Sequence, residues 1–289
     1  MKILIIGANG MIGNGIFKYL SRNHDVFGTL KGNFADYKMP STRNIFSGID
    51  LRNISSINNI IEDLNPEVLI NCSGIIKQKS KDYSDEEHTY LNSQIPNILA
   101  DMCVTRNVRL VNFSTDCVFN GGDGFYNEDH KPNADDIYGM SKANGEIKRE
   151  GCLTIRTSTI GLELENKHGL IEWFLSQNGK IVYGYDNAIY SGLTTTELAR
   201  YLEYILIKFP DLSGLYQMAA SKISKHELLS ILSAKLKYCT ITIQKNTDFI
   251  CDRSLDGSQL NLITNFKIGS WDDMLDRLAD QINKRQKNE

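Results

Sequence analysis

Long apolar runs are missing from this sequence. No stretch of its 289 residues approaches the roughly 20 consecutive apolar residues of a bilayer-spanning helix, so no membrane span is expected. A charge excess of one sign is missing too. Lys and Arg number 32 against 35 Asp and Glu, a net charge of −3, which offers no basic field for a general nucleic-acid partner. Paired cysteines are absent: Cys72, Cys103, Cys117, Cys152, Cys239 and Cys251 are irregularly spaced, with no C-x-x-C among them. Zinc and thioredoxin-like readings therefore lack support, and no metal is expected. Reduced thiols in a cytoplasmic protein are the simplest expectation. There is neither an internal repeat nor a low-complexity linker. At the start, Met1-Lys2 leads directly into Ile3-Leu4-Ile5-Ile6 and a glycine, too short an apolar run for a secretory leader.

What is present suits a soluble protein with a sizeable core: 41% of residues are apolar and 23% charged. The length fits one α/β domain carrying a smaller lobe. Short apolar runs alternate with helical-period segments, which predicts parallel strands joined by crossover helices. Residues 2–6, 25–30, 68–71, 108–113 and 153–156 read as strands. Ile12, Ile16, Phe17 and Leu20 recur at helical spacing, as do Ile57, Ile60, Ile61 and Leu64. Further helices are expected near 90–104 and 138–149. Beyond about residue 156 the pattern loosens, with helices at 170–175 and 194–209 and a strand at 240–244. Ser224-Lys225-His226-Glu227 is a capping box opening another helix. The polar tail from Lys284 reads as disordered.

The first strand ends in Gly7-Ala8-Asn9-Gly10-Met11-Ile12-Gly13, a G-x-x-G-x-x-G run that opens a helix. Glycines permit the tight turn and the close approach of backbone to a pyrophosphate. The helix N-terminus then meets the anion with unpaired N–H groups and the positive end of its dipole. The expected fold is therefore α/β, a Rossmann-like doubly wound parallel sheet with a smaller C-terminal substrate-binding lobe. Residues 1–160, with 192–214 returning to them, would bind the dinucleotide. Residues 161–191 and 215–289 would form the lobe over the sheet's C-terminal edge. An NAD site usually has an acid after the second strand, on the ribose 2′-OH; here Thr29-Leu30-Lys31 has none. Lys31 is either a partner for a 2′-phosphate or a solvated lysine, so NADP(H) is favoured and NAD(H) is the alternative. Asp50-Leu51 would flank the adenine.

Tyr138-Gly139-Met140-Ser141-Lys142 places Tyr138 and Lys142 at i and i+4, on one helix face. A tyrosine is protonated up to about pH 10, and a nearby ammonium favours its phenolate. The phenol can then give a proton to a carbonyl oxygen while a cofactor delivers hydride. On a surface helix the pattern alone carries no chemistry, but its neighbours sharpen it. Thr115 ends the preceding strand, in Asn112-Phe113-Ser114-Thr115-Asp116-Cys117-Val118-Phe119, and its hydroxyl can hydrogen-bond the same carbonyl. Asn71-Cys72-Ser73-Gly74 ends the strand before that and would line the nicotinamide side. All fall on the ligand-binding edge of one sheet.

On these motifs the chain resembles the extended short-chain dehydrogenase/reductase family, within it the dTDP-4-dehydrorhamnose reductase branch. The resemblance covers residues 1 to about 160 well. It continues less specifically through Tyr190-Ser191-Gly192-Leu193-Thr194-Thr195 and Asp252-Arg253-Ser254-Leu255-Asp256. It implies a catalytic set of Thr115, Tyr138 and Lys142: the orienting hydroxyl, the acid, and the pKa modifier and ribose ligand. It implies a cofactor site of Gly7, Asn9, Gly10, Met11, Ile12, Gly13, Lys31, Asp50, Leu51, Asn71, Cys72 and Ser73, and a structural asparagine at Asn92. The implied substrate is a nucleotide-diphosphate 4-keto-6-deoxy sugar, UDP- or dTDP-linked, reduced at C4 in polysaccharide precursor synthesis. Homodimerisation is plausible for the superfamily.

The chain departs from the branch at Cys117, where rhamnose reductases usually carry tyrosine. GDP-fucose synthases have a cysteine near this point and a histidine further on, and His168 is available here. A thiol and an imidazole on opposite faces of a keto sugar would move protons alpha to its carbonyl, making an epimerase-reductase the second reading. The plainer expectation is that Cys117 packs. A third reading is a regulatory subunit that binds NADP without turnover. Gly74, Lys77, Asp116, Trp173 and Arg253 complete the candidate substrate contacts, Trp173 by stacking and Arg253 by pairing with a diphosphate.

Overall fold

In the computed structural model, residues 1–36, 44–164 and 168–288 are described. The elements run β1 (Lys2–Ile6), α1 (Met11–Leu20), β2 (Asp25–Thr29), β3 (Ile45–Phe46), α2 (Ile54–Leu64), β4 (Val68–Asn71), α3 (Asp85–His88), a π-helical turn (Thr89–Gln94), α4 (Ile95–Thr105), β5 (Arg109–Thr115), α5 (Ile137–Asn144) and β6 (Cys152–Thr157). The second half adds β7 (Thr159–Ile160), α6 (Leu170–Leu175), β8 (Ile181–Tyr185), β9 (Ala188–Tyr190), β10 (Leu193–Thr194), α7 (Thr195–Lys208) and β11 (Gly214–Gln217). It closes with β12 (Ile223–Ser224), α8 (Lys225–Lys235), β13 (Thr242–Asn246), β14 (Cys251–Asp252), α9 (Ser258–Thr264) and α10 (Trp271–Asn288).

Seven strands form one parallel sheet in the order β11-β6-β5-β4-β1-β2-β3. Alternation along β1 shows why it is buried on both faces. Ile3 and Ile5 join the cluster containing Ile16, Phe17 and Leu20 of α1, Leu198 and Leu202 of α7, and Met274 and Leu278 of α10. Leu4 and Ile6 point the other way, against Ile57, Ile60 and Ile61 of α2 and Leu99 of α4. The chain winds outward from β1 through β2 and β3. It then returns to the other side of β1 at β4. The C-terminal ends of β1 and β4 thus flank the crevice where doubly wound sheets hold their ligands.

Three small sheets, β10-β7, β12-β9-β14 and β13-β8, carry most of the later chain. Gly214–Gln217 belongs to the central sheet as its edge strand, slightly beyond the 192–214 segment expected to return to it. Among the described residues no helix is long and apolar enough to cross a membrane.

Two sequence expectations are corrected. The polar tail from Lys284 continues α10 to Asn288, because Ile282 is buried and Arg285 makes a two-pronged bond to the buried Glu172 of α6, at 2.7 and 3.0 Å. The Tyr138 helix ends at Asn144 instead of near Arg149. Gly145 turns the chain there against the carbonyl of Asn92, where a Cβ would sit 2.0 Å from that oxygen. The capping box expected at Ser224 keeps its Ser224 half, the hydroxyl accepting from Glu227 N–H at 3.1 Å. The reciprocal pair instead opens α3, between Ser84 and Glu87.

Candidate functional site

The phosphate loop is shaped by two glycines. Gly7 has φ +78°, a region costly for residues with a Cβ. At Gly13 an added Cβ would lie 2.2 Å from the Gly7 carbonyl oxygen, so the helix can start that close to the strand only with glycine there. The start of α1 has no side-chain cap and no acid in its first turn among the described residues. Its leading N–H groups therefore face the crevice without competition from a protein carboxylate. Gly7 N–H is braced by the Thr29 hydroxyl at 3.3 Å. Asn9, Met11 and Ile12 are half-buried around this turn and Gly10 is exposed.

On the adenosine side, Lys31 is 3.7 Å from Asp50, which also lies 3.6 Å from the Arg52 guanidinium. The Arg52 N–H donates to Asp50 at 2.9 Å, and this bond with the two cations lowers the Asp50 carboxyl below its usual range. Lys31 and Arg52 are two exposed cations that share the Asp50 carboxylate after β2 and β3, Arg52 pairing with Glu87 as well. Arg52 was missed in the sequence because a lone arginine after Asp50-Leu51 has no periodic signature. The Leu51 side chain joins the core behind α2, and its carbonyl accepts from the Tyr90 hydroxyl at 3.2 Å.

At the end of β4, buried Asn71 donates to Asn112 at 2.9 Å, and Asn112 in turn donates to the Gly145 carbonyl at 3.0 Å. Ser73 bonds back to Asn71 through its N–H, at 3.1 Å, and its hydroxyl. Burial pushes the Cys72 thiol far up, which keeps it neutral. Gly74, with φ +146°, lies against Asn92 and within 4.0 Å, from its Cβ position, of the Lys142 ammonium. Asn92 is 1% exposed and stitches three elements. Its Oδ1 accepts from Ile75 N–H at 2.9 Å, and its Nδ2 donates to the Ile75 carbonyl at 3.3 Å and the Ser141 hydroxyl at 3.1 Å. The π-helical turn Thr89–Gln94 aims it, an extra residue in the helix at a site of this kind.

Thr115, Tyr138 and Lys142 come together. Gly139 brings α5 onto the turn after β5: a Cβ there would lie 2.3 Å from the Cys117 carbonyl oxygen. This contact sets the Tyr138 phenol beside the Thr115 hydroxyl. Asp136 caps the helix, accepting from Gly139 N–H at 2.7 Å. Lys142 Nζ donates to the Phe113 carbonyl at 2.7 Å. Desolvation lowers Lys142 to about 8, against the opposing pull of Glu146 and Cys72. The expected lowering of the Tyr138 pKa by Lys142 does not show in this structure. Desolvation and the neighbouring Cys117, Asp116 and Asp136 raise the phenol well above 10, while Lys142 is turned to Phe113.

Of the remaining candidates, Asp116, Cys117, Arg253 and Lys77 gather around the Thr115–Tyr138 pair, and His168 and Trp173 are exposed. Asp116 accepts from the Thr115 hydroxyl at 3.0 Å. Cys117 sits beside Tyr138, and burial with Asp116 pushes its thiol to about 12, which disfavours a thiolate base. Arg253 is near Cys117 and Asp136, but its Nε and one Nη donate to the Phe119 and Asn120 carbonyls, at 2.8 and 3.2 Å. Lys77 pairs with Asp136 at 2.7 Å. His168 is exposed and donates its N–H to Glu163 at 3.0 Å. Its neighbour Gly169 lies against Met11, by the phosphate loop. Trp173 is exposed on α6. Tyr190 was passed over as one residue of a loose match; it is buried, and the Asp116 carboxylate is among the charges acting on its phenol. An open groove of about 520 Å³ at Lys148, Arg149, Asp211 and Tyr216 lies at the N-terminal ends of β6 and β11, the wrong end of the sheet for ligands of this fold.

Comparison with known proteins fits this arrangement. The family described as RmlD substrate binding domain matches residues 1–238. A probable low-salt glycan biosynthesis reductase, Agl14, of Haloferax volcanii is 28% identical over 148 residues, 50% of this chain and 48% of that protein. The methionine adenosyltransferase 2 subunit beta of Xenopus tropicalis is 27% identical over 169 residues, 57% of this chain and 48% of that protein. The chain thus spans about half the length of the curated relatives it matches. A dTDP-4-dehydrorhamnose reductase of Bacillus anthracis, solved in complex with NADP, superposes with a TM-score of 0.79 at 19% identity, covering 97% of this chain and 99% of that one.

Proposed function

The chain belongs to the family of the RmlD substrate binding domain, and from that premise we propose that it is an oxidoreductase that uses NADPH to reduce the C4 keto group of a nucleotide-diphosphate 4-keto-6-deoxy sugar. The observation that carries this reading is the convergence of an uncapped, glycine-built phosphate turn with a Tyr138–Thr115 pair at the C-terminal ends of β1 and β5. The glycine cradle and the bare start of α1 suit a dinucleotide pyrophosphate, and the Lys31 and Arg52 cations suit a 2′-phosphate. The cofactor would supply hydride. The small sheets of the second half are proposed to hold the sugar and its nucleotide, with Asp116, Cys117, Tyr190 and Arg253 nearest the reacting end.

A reductase needs an acid that keeps its proton until the carbonyl oxygen gains negative charge. The raised Tyr138 phenol meets that need across the neutral range. Thr115, whose hydroxyl donates to Asp116 in this structure, would turn that proton to the same oxygen and orient it. Lys142, held by the Phe113 carbonyl, offers its charge to the nicotinamide ribose and to the phenolate left after proton transfer. The high Cys117 pKa and the place of His168 beside the phosphate-loop side give epimerisation no support. Cofactor oxidation should be followed with UDP-, dTDP- and GDP-linked 4-keto-6-deoxy sugars, with product configuration read by NMR. Tyr138→Phe should lower kcat by about 10²-fold or more while NADPH affinity stays unchanged. Tight NADPH binding without turnover on any sugar would sink the reductase reading and favour a regulatory subunit.

A further inference from the structure

A buried ion pair stands behind the site without touching the crevice. Glu146 follows α5 directly and its side chain is 5% exposed; Arg156 of β6 is 1% exposed. The guanidinium grips the carboxylate with both prongs, Nε to Oε1 at 2.7 Å and Nη2 to Oε2 at 2.8 Å, and lies over the Phe119 ring at 5.1 Å. Oε1 also accepts from the Ser114 hydroxyl at 2.7 Å. Ser114 stands between Phe113, whose carbonyl holds Lys142, and Thr115, whose hydroxyl meets Tyr138. In the sheet Ser114 pairs with Arg156, so one carboxylate ties the end of β5, its neighbour β6 and the segment leaving the Tyr138 helix.

From this geometry we infer that the Glu146–Arg156 pair is a positioning element for the proposed reduction, clamping β5 through Ser114 and supplying the negative field that balances Lys142. A buried ion pair adds little net stability compared with apolar residues of the same volume, so placing one here serves something other than cohesion. The titratable groups acting on Lys142 are Glu146 along its own segment and Cys72 from the end of β4, and its Nζ donates to the Phe113 carbonyl. With Cys72 held neutral by burial, Glu146 is the formal negative charge among them. Arg156 Nη1 and the side chain of its register partner Gln217 have no bond among the described residues, so the side-chain hydrogen bonds of Arg156 go to Glu146 alone.

The inference rests on the reductase reading, and its deciding readout, the Lys142 midpoint, is independent of turnover. Lysine labelled with 13C at Cε reports the titration of Lys142 by NMR, with its resonance assigned by its loss in Lys142→Arg. Removing the carboxylate charge in Glu146→Gln should move the Lys142 midpoint from about 8 to lower pH by roughly one unit. The double variant Glu146→Gln with Arg156→Gln leaves no stranded guanidinium. It should fold if the single variant does not, and should also move the midpoint down. Ser114→Ala should leave the midpoint in place and lower kcat without changing KM. A Lys142 midpoint unmoved in both charge variants overturns the proposal. A moved midpoint in a protein that turns over no keto sugar leaves the coupling of Glu146 to Lys142 standing and refutes the reductase reading alone.

Discussion

Lys142 titrates where its ordinary counterpart would not. Its pKa lies near 8 instead of the usual 10.5, so the ammonium is complete at neutral pH and is lost as pH rises through about 8. The Tyr138 phenol moves the opposite way and keeps its proton over the same interval. The two shifts give an asymmetric expectation for kcat/KM in the reductive direction. It should be flat from about pH 6 to 7 and fall above about 8, the limb belonging to Lys142 and not to Tyr138. In Lys142→Arg the cation does not titrate there, so that limb should vanish even where the absolute rate is lower. A pH profile of both proteins checks this, and a limb that survives in the arginine variant would assign it elsewhere.

Among the elements, the β1-to-α1 turn has the least room for change. Gly13→Ala would drive a methyl to 2.2 Å from the Gly7 carbonyl, which shifts α1 away from β1. The expected outcome is a loss of about 1–3 kcal/mol of stability with NADPH affinity falling at least tenfold, measured by denaturation and by fluorescence titration. The end of α10 tests a different dependence. Arg285→Ala strands the Glu172 carboxylate, 2% exposed, leaving it the Glu163 N–H at 3.0 Å. About 2–3 kcal/mol should be lost, seen as a lower Tm, whereas a freely fraying tail would lose almost nothing. Element by element, what could be read from the sequence was local. Strands β1 and β4, and helices α1 and α6, follow directly from period and punctuation. Tyr138 with Lys142, and Gly7 to Gly13, declare themselves by spacing. Arg285 did not, because its partner lies 113 residues away and a polar heptad looks the same paired or solvated.

For the whole molecule, a parallel sheet with crossover helices was implied by alternating strand and helix, but the assembly of the site was only half legible. The chain from Asn71 through Asn112 to Gly145, and the stitching by Asn92, join single polar residues separated by tens of positions. No periodicity marks such residues, so sequence reasoning found the ends of the strands without the bonds that align them. Binding that depends on this assembly should register in global stability. NADPH at about 100 times its Kd should stabilise the fold by about 2.7 kcal/mol. NADH at the same concentration should do less, and in Arg52→Ala the difference between the two cofactors should narrow, as differential scanning fluorimetry would show. Equal stabilisation by both in the unaltered protein would remove Lys31 and Arg52 from cofactor choice.

The wide turn at Thr89–Gln94 carries a further consequence, for the protein's tolerance of insertions and deletions. A π turn is an α-helix holding one surplus residue, so a single deletion upstream of Asn92 would let the helix relax to ordinary pitch. Each residue of an α-helix turns by about 100°, and Asn92 would swing by that angle away from Ile75 and Ser141. Every catalytic side chain would remain in the sequence, yet the β4 loop and the Tyr138 helix would lose their common fastening. Length in this turn is therefore as constrained as identity in the motifs, and a one-residue gap here separates a relative with the same letters from one with the same site.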